Sequence, residues 1–321
     1  MYKDKRVLLI AGGGTLGTYT AEELLRLGCF VDIICPEEKN SDNERLNFYR
    51  GYATHDFLTN VLAENHYDGI VNFVHYPDVE EYKPIHKLLT DNTEYLIFLS
   101  SYRVYADLEN PITESASHLL DVTTDEKFLA VETYALSKAK AEKYLFNESN
   151  TDNWTVVRPV ISFSEYRFDI VVKNRHDVIE YYRKGEAMNM PSETKDLTAG
   201  LDWAGNTGKI IANLLFKKDT FKQAYTISSA QNMKWGEIAD LYTKLVGTQF
   251  NWISVEEYLK ADERVAKDPW SLLYDRLYDR KIDNTKVLKA TGLKKSDFLS
   301  IEEGLKIELK KLYEKGKYPS A

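Results

Sequence analysis

Short, continuous apolar runs alternate with amphipathic stretches through the first half of the chain. RVLLIAGG is a β-rich apolar run ending in glycine, the pattern of a strand buried on both faces of a parallel sheet. TLGTYTAEELLRLG places apolar residues at Leu16, Leu24, Leu25 and Leu27 and stops at Gly28, an amphipathic helix with a glycine cap. FVDIIC reads as a second strand, DFLTNVLAEN as a helix opened by Asp56, and GIVNFVHY as a further strand. EEYKPIHKLLTDN reads as a helix broken by Pro84 and YLIFLSS as another buried strand. A helix through YALSK and the strand-like WTVVRPVISF complete the alternation. Apolar strands alternating with helices predict an α/β fold, a doubly wound parallel sheet with helices on both faces.

From about Phe163 the pattern changes. HDVIEYYRKG, NTGKIIANLLFKK, KWGEIADLYTKLVG and SIEEGLKIELKKLYEKG carry helical periodicity, and AYTISS is a short strand among them. These predict a smaller, mostly helical C-terminal lobe. No internal repeat or low-complexity tract interrupts it, and the tail YPSA reads as frayed.

Composition narrows the function classes. The 321 residues are 43% hydrophobic and 29% charged, with a net charge of −8. A nucleic-acid binder needs a cationic footprint, and no basic run supplies one; LKIELKKLYEKGK mixes signs and reads as a solvated helix face. The early apolar run VLLIA, Val7 to Ala11, stops at three glycines, too short for a membrane span or a signal-peptide core. Two cysteines, Cys29 and Cys35, flank one strand and point to reduced thiols and a cytoplasmic protein. The six histidines are scattered, so no metal site is expected.

The turn AGGGTLG joins the first strand to the first helix. Gly12, Gly14 and Gly17 fit G-x-G-x-x-G in the required strand-to-helix context. The physical reading is a tight turn, a close backbone approach to a pyrophosphate, and a helix start at Thr15 and Leu16 offering its N–H groups to the anion. Residues 1–162 are thus expected to form a Rossmann-type dinucleotide-binding domain, to which later segments return. Residues 163–321 are expected to form the substrate-binding lobe. After the second strand, in CPEEKN, Glu37 or Glu38 can reach a ribose 2′-hydroxyl, whereas Lys39 can meet a 2′-phosphate. NAD is preferred, with NADP as the alternative.

The stretch YALSKAKAE sets Tyr134 four residues before Lys138, so both fall on one helix face. The glycine turn, YDGIVNFV, FLSSYRVY, YALSKAKAE and VVRPV occur in that order. The chain therefore resembles the extended short-chain dehydrogenase/reductase superfamily, in its NAD-dependent epimerase/dehydratase branch. Weaker similarity runs through AYTISSAQNMKWGEIADLY and DNTKVLKATGL. The resemblance implies that Ser101, Tyr134 and Lys138 act together on the carbonyl/alcohol pair of a small-molecule substrate. A free phenol has a pKa of about 10, so only about one in a thousand is ionised at neutral pH. A lysine ammonium one turn away and a positive nicotinamide ring favour the phenolate. Tyr134 would then move the proton, Lys138 would also hold the nicotinamide ribose, and Ser101 would hydrogen-bond the substrate oxygen. Tyr102 and Tyr105 read as packing or pocket-lining groups. Asn72 and His75 either line the cofactor or close their strand.

The resemblance also implies a homodimer, in which the Y-x-x-x-K helix (134–147) and the helix before the YLIFLSS strand (80–91) pair with their copies. Ala135, Ala139, Ala141 and Leu145 are small and apolar enough for such packing. Several positions depart from the family. Its first glycine falls on Ala11, the acid ending its second strand on Cys35, and its adenine-contacting aspartate on Tyr52. VHY stands where a small residue is usual. RPVISFSE has Ile161 and lacks the G-P pair, and the serine is not followed by the acidic pair that dehydratases use. Dehydration is therefore not expected, and a sugar-nucleotide substrate is left open. The expected function is an NAD(P)-dependent epimerase or reductase. A cofactor-binding redox sensor or scaffold with lapsed catalysis is the alternative.

Overall fold

The apolar runs of the first half become one parallel sheet. The structure, a computed structural model, describes residues 1–131 and 134–316; the tail YPSA lies outside them. In chain order the first half comprises β1 (Arg6–Ile10), α1 (Thr15–Arg26), β2 (Phe30–Cys35), β3 (Leu46–Arg50), α2 (His55–Glu64) and β4 (Gly69–Asn72). It continues with α3 (Val79–Asp91), β5 (Leu96–Leu99), α4 (Leu119–Val122), α5 (Glu126–Val131), α6 (Tyr134–Asn147) and β6 (Trp154–Pro159). The second half adds β7 (Ile161–Phe163), α7 (Asp177–Lys184), β8 (Met188–Pro191), β9 (Leu201–Trp203), α8 (Ala204–Leu214) and β10 (Ala224–Ile227). It ends with α9 (Trp235–Val246), β11 (Phe250–Ile253), α10 (Val255–Ala261), α11 (Glu263–Lys267), α12 (Thr285–Thr291) and α13 (Ile301–Glu314).

The central sheet runs β10-β6-β5-β4-β1-β2-β3, all strands parallel. Successive side chains of a strand point to opposite faces, and both faces are covered. Val7 and Leu9 pack with Leu24 of α1 and Ile210 of α8, whereas Leu8 and Ile10 pack with Leu58 of α2 and Ile85 of α3. This is why the strands read as unbroken apolar runs. The fold class expected from the sequence is the one observed, a Rossmann-type doubly wound sheet with a smaller, mostly helical lobe.

Several local expectations change. β3 is missing from the apolar pattern, although the resemblance implies a third strand before Tyr52: LNFYR is a half-exposed edge strand with no continuous apolar run. GIVNFVHY contracts to β4, because Asn72 turns the chain: its Oδ1 accepts the Val74 N–H at 3.1 Å and its Nδ2 donates to the Tyr76 hydroxyl at 3.0 Å. Thr54, not Asp56, caps α2 by accepting the Phe57 N–H. Helix α3 runs through Pro84 rather than breaking there. Pro84 and Glu80 both face solvent, so water can satisfy the freed carbonyl. WTVVRPVISF divides into β6 and β7, and β7 leaves the central sheet to pair with β9.

β10 rejoins the sheet beside β6, and α8 lies across α1. At that crossing a side chain on Gly208 would lie 2.6 Å from the Tyr19 backbone, so only glycine permits the approach. The lobe is built from the β7–β9 and β8–β11 pairs with α7, α9 and α13, around Phe163, Met190, Trp235, Tyr242 and Leu305. Among the described residues no helix is long and apolar enough to cross a membrane.

Candidate active site

The turn from β1 to α1 is crowded on one side and open on the other. A methyl group on Gly12 would come within 2.7 Å of Leu9 Cβ, and one on Gly13 within 2.7 Å of Cys35 Cβ. On Gly17 it would overlap the Gly12 backbone. On Gly14 it would meet nothing within 4 Å, although the Gly14 backbone is extended and any residue could adopt it. Packing therefore explains three of the glycines but not Gly14. The first turn of α1 has no side-chain cap and no acidic residue, so its N–H groups and the helix dipole are directed at the open space. Ala11, at the family's first glycine, has φ +56°, a left-handed conformation that costs a non-glycine residue about 1 kcal/mol.

The end of β2 reaches the same turn. A Glu37 Oε2 oxygen comes within 3.2 Å of where a Gly13 side chain would start, and Lys39 Nζ donates to the Gly13 carbonyl at 2.6 Å. Glu38 instead faces solvent beside Arg50, 3.4 Å away. Of the two acids read from the sequence, Glu37 is the one at the turn.

A cavity of about 470 Å³ brings Gly14, Thr15, Leu16 and Gly17 together with Ser101 and Tyr134. Ser101 follows β5, is buried, and accepts the Arg103 N–H at 3.2 Å. Tyr134 begins α6; its ring lies 5.0 Å from that of His75 and 5.3 Å from the Arg103 guanidinium carbon. His75 Nε2 is 2.7 Å from the Ser137 hydroxyl, so His75 braces the start of α6, whereas Asn72 closes its strand. Gly12 and Glu37 lie beside the cavity rather than on its wall.

Lys138 lies behind the wall. Its Nζ donates to the Val74 carbonyl at 3.0 Å and the Leu99 carbonyl at 2.6 Å. Only 2% of the residue is exposed, and burial pushes the ammonium down to about 7, with Glu142 acting the other way. Glu142, one turn further on, pairs with Arg158 of β6, whose Nη1 also donates to the Tyr105 hydroxyl at 2.8 Å. Tyr105 is thus a buried packing group. Tyr102 lines the cavity, and its hydroxyl donates to Asp275 at 2.8 Å.

Arg103, Arg167 and Arg276 also line the cavity and were missed in the sequence. Arg103 could have been noticed, two residues after the serine. Arg167 and Arg276 carry no local signal, because only folding brings their segments to the sheet edge.

Residues 8–204, more than half of the chain, match the NAD dependent epimerase/dehydratase family. A search of the curated proteins finds no match. Solved structures with the same fold include Epimerase Mth375 of the methanogen Methanothermobacter thermautotrophicus, 14% identical, with a TM-score of 0.73 over 98% of this chain and 94% of that one. The UDP-glucose 4-epimerase of Thermotoga maritima, solved with UDP-glucose, is 13% identical, with a TM-score of 0.67 over 98% of this chain and 100% of that one. The UDP-glucuronic acid 4-epimerase of Bacillus cereus, solved with UDP-glucuronic acid and NAD, is 13% identical, with a TM-score of 0.66 over 96% and 99%.

Proposed function

This chain belongs to the NAD dependent epimerase/dehydratase family, and from that premise we propose that it is an NAD-dependent oxidoreductase or epimerase acting on a carbonyl/alcohol substrate through Ser101, Tyr134 and Lys138. The observation that carries this reading is that Ser101 and Tyr134 share one cavity with Gly14, Thr15, Leu16 and Gly17. The residues fit the cofactor. Gly14 leaves room for a pyrophosphate, the uncapped first turn of α1 supplies N–H donors, and Glu37, beside the turn, would accept from a ribose hydroxyl. Glu37 would repel a 2′-phosphate, and Lys39 is engaged with the Gly13 carbonyl, so NAD is preferred to NADP.

NAD, when bound, supplies the hydride acceptor or donor. Tyr134 takes the hydroxyl proton as an alcohol is oxidised and returns it as a carbonyl is reduced. Ser101 donates a hydrogen bond to the same substrate oxygen. Lys138 serves Tyr134 and the nicotinamide ribose, with its Val74 and Leu99 carbonyl partners giving way. That double tether, together with the strained Ala11, favours a second reading, a cofactor-binding sensor with lapsed catalysis. Oxidation of NADH with any member of a carbonyl panel separates the two.

The direct test measures turnover and NAD dissociation constants for three variants. Tyr134→Phe keeps the ring and removes the hydroxyl; turnover should fall roughly 10²–10⁴-fold with cofactor affinity nearly unchanged. Lys138→Met should harm both quantities, and Ser101→Ala turnover alone. Wild-type turnover in Tyr134→Phe would defeat the proposal. The working form we infer is a cytoplasmic homodimer: Cys29 and Cys35 are buried free thiols, and α3 and α6 lie side by side as the family's pairing helices do.

A further inference from the structure

Three guanidiniums line the cavity that holds Ser101 and Tyr134, and no carboxylate among the described residues lines it with them. Arg167 and Arg276 come from the lobe side, and Arg103 lies over the Tyr134 ring. The carboxylates lie behind the wall. Asp169 takes Arg167, with Nε to Oδ2 at 2.7 Å. Asp275 is fully buried and shared: it pairs with Arg276, accepts Arg280 Nε at 3.0 Å, and accepts the Tyr102 hydroxyl. Arg280 also faces Asp107, and Arg103 Nε lies 3.6 Å from Asp275, so the acids stand behind the wall while Arg103, Arg167 and Arg276 line the cavity itself. A planar guanidinium on a cavity wall matches an oxyanion through its remaining N–H donors.

Their place tells which part of a ligand they face. Arg276 Nη1 donates to the Tyr102 hydroxyl at 3.2 Å, and its Nε to the Val171 carbonyl at 2.8 Å, so the side chain is fixed beside the residue that follows Ser101. This is the reacting end of the cavity, not the glycine turn. The cavity must also take the nicotinamide, and at about 470 Å³ it leaves space for a small substrate only.

We propose that the substrate is a small hydroxy or oxo compound carrying an oxyanion, a carboxylate or a phosphate, close to its reacting carbon, and that Arg167 and Arg276 hold that group while Arg103 closes the site above Tyr134. This rests on the reading of Ser101 and Tyr134 as the reacting pair. It gives specificity to a reaction that the pair alone would run on any carbonyl. A neutral analogue gains no charge-assisted hydrogen bond from the guanidiniums and binds more weakly.

The test is calorimetry on the NAD-saturated protein with malonate, inorganic phosphate, uncharged malonamide and UDP as probes. Malonate or phosphate should bind saturably and malonamide should not; the tighter of the two anions identifies carboxylate or phosphate. Arg167→Gln, at a partly exposed position, should weaken the anion roughly 10–100-fold with NAD affinity unchanged. Arg276→Lys keeps the buried charge but loses the fork, and should weaken it as well. Absence of anion binding by the wild type, equal binding of malonamide, or anion binding unaltered in both variants overturns the proposal. UDP binding as tightly as malonate and phosphate, lost in the same variants, also overturns it, because the arginines would then serve a nucleotide diphosphate. If Tyr134→Phe keeps full turnover while the anion site behaves as described, the catalytic reading fails and the oxyanion site stands. Anion binding failing while Tyr134→Phe is inactive removes this inference alone.

Discussion

At Gly14 a methyl group would meet nothing within 4 Å, whereas at Gly17 it would run into the Gly12 backbone. The two are the second and third glycines of one motif and have opposite reasons for being there. Gly14→Val should therefore fold, with an unfolding midpoint close to that of the parent, and lose NAD binding, since the new side chain fills the space open to a pyrophosphate. Gly17→Ala should instead lower stability by about 1–3 kcal/mol, the usual penalty for overpacking, as α1 is pushed from β1. Urea unfolding and NAD calorimetry on both variants check this; a Gly14→Val protein that binds NAD like the wild type would refute the ligand reading of that position. The spacing G-x-G-x-x-G was legible in the sequence because it is local. That packing requires Gly12, Gly13 and Gly17 was not, because that depends on what β2 and α1 bring against each position. Ala11 is the converse case: its departure from the family was visible, and its φ of +56° gives the physical consequence.

Helix α6 places Tyr134, Lys138 and Glu142 on one face at successive turns, and the inner two fasten it. Lys138 is tied to the Val74 and Leu99 carbonyls, and Glu142 to Arg158 of β6. The Tyr134–Lys138 spacing could be read from nine residues. The partner of Glu142 could not, because Arg158 stands on a neighbouring strand and entered the sequence reading only as part of an R-P segment. The pair is fully enclosed, with side-chain exposures of 4% for Arg158 and 2% for Glu142, so solvent screening does not discount it. Glu142→Gln leaves the Arg158 charge buried without its counter-ion. Stability should fall on the order of 3 kcal/mol, the scale for breaking a buried pair from one side. Because Glu142 ties α6 to β6 two turns from Tyr134, turnover should fall with it. Replacing both partners by apolar residues should recover much of the stability but not the turnover. Thermal unfolding of the single and double variants separates these outcomes; a Glu142→Gln protein as stable as the wild type would show that the pair does not anchor the helix. The Pro84 expectation failed at the same scale: a proline read as a break is accommodated on the solvent side of α3.

On the scale of the whole molecule, the cavity arginines at 103, 167 and 276 come from three distant segments, and only the return of the lobe to the sheet edge assembles them. The surface expected to pair with a second copy changed in a related way. Ala135, Ala139, Ala141 and Leu145, which looked available for a partner, are each at most 2% exposed within the chain itself, packed on its own core. The outward face of α6 carries Lys140, Lys143 and Phe146 instead, and that of the adjacent α3 carries Glu80, Glu81, Pro84 and Lys87. A two-fold axis between the helix pairs repeats each contact twice, and can set the acids at the start of α3 against the lysines of α6 in the second copy. Phe146, 42% exposed, then gives the apolar contact that such a charged face otherwise lacks. The dimer should accordingly be sensitive to salt, since exposed pairs are screened beyond a Debye length of about 10 Å at 0.1 M. Light scattering at micromolar protein should give twice the chain mass at low salt and a lower average mass at 1 M salt. Phe146→Glu should give single chains at both, and should lower the unfolding temperature modestly because the ring's edge contact with Trp154 is lost. A single-chain mass for the wild type across the micromolar range at low salt removes the dimer; a dimer untouched by Phe146→Glu moves it to another face.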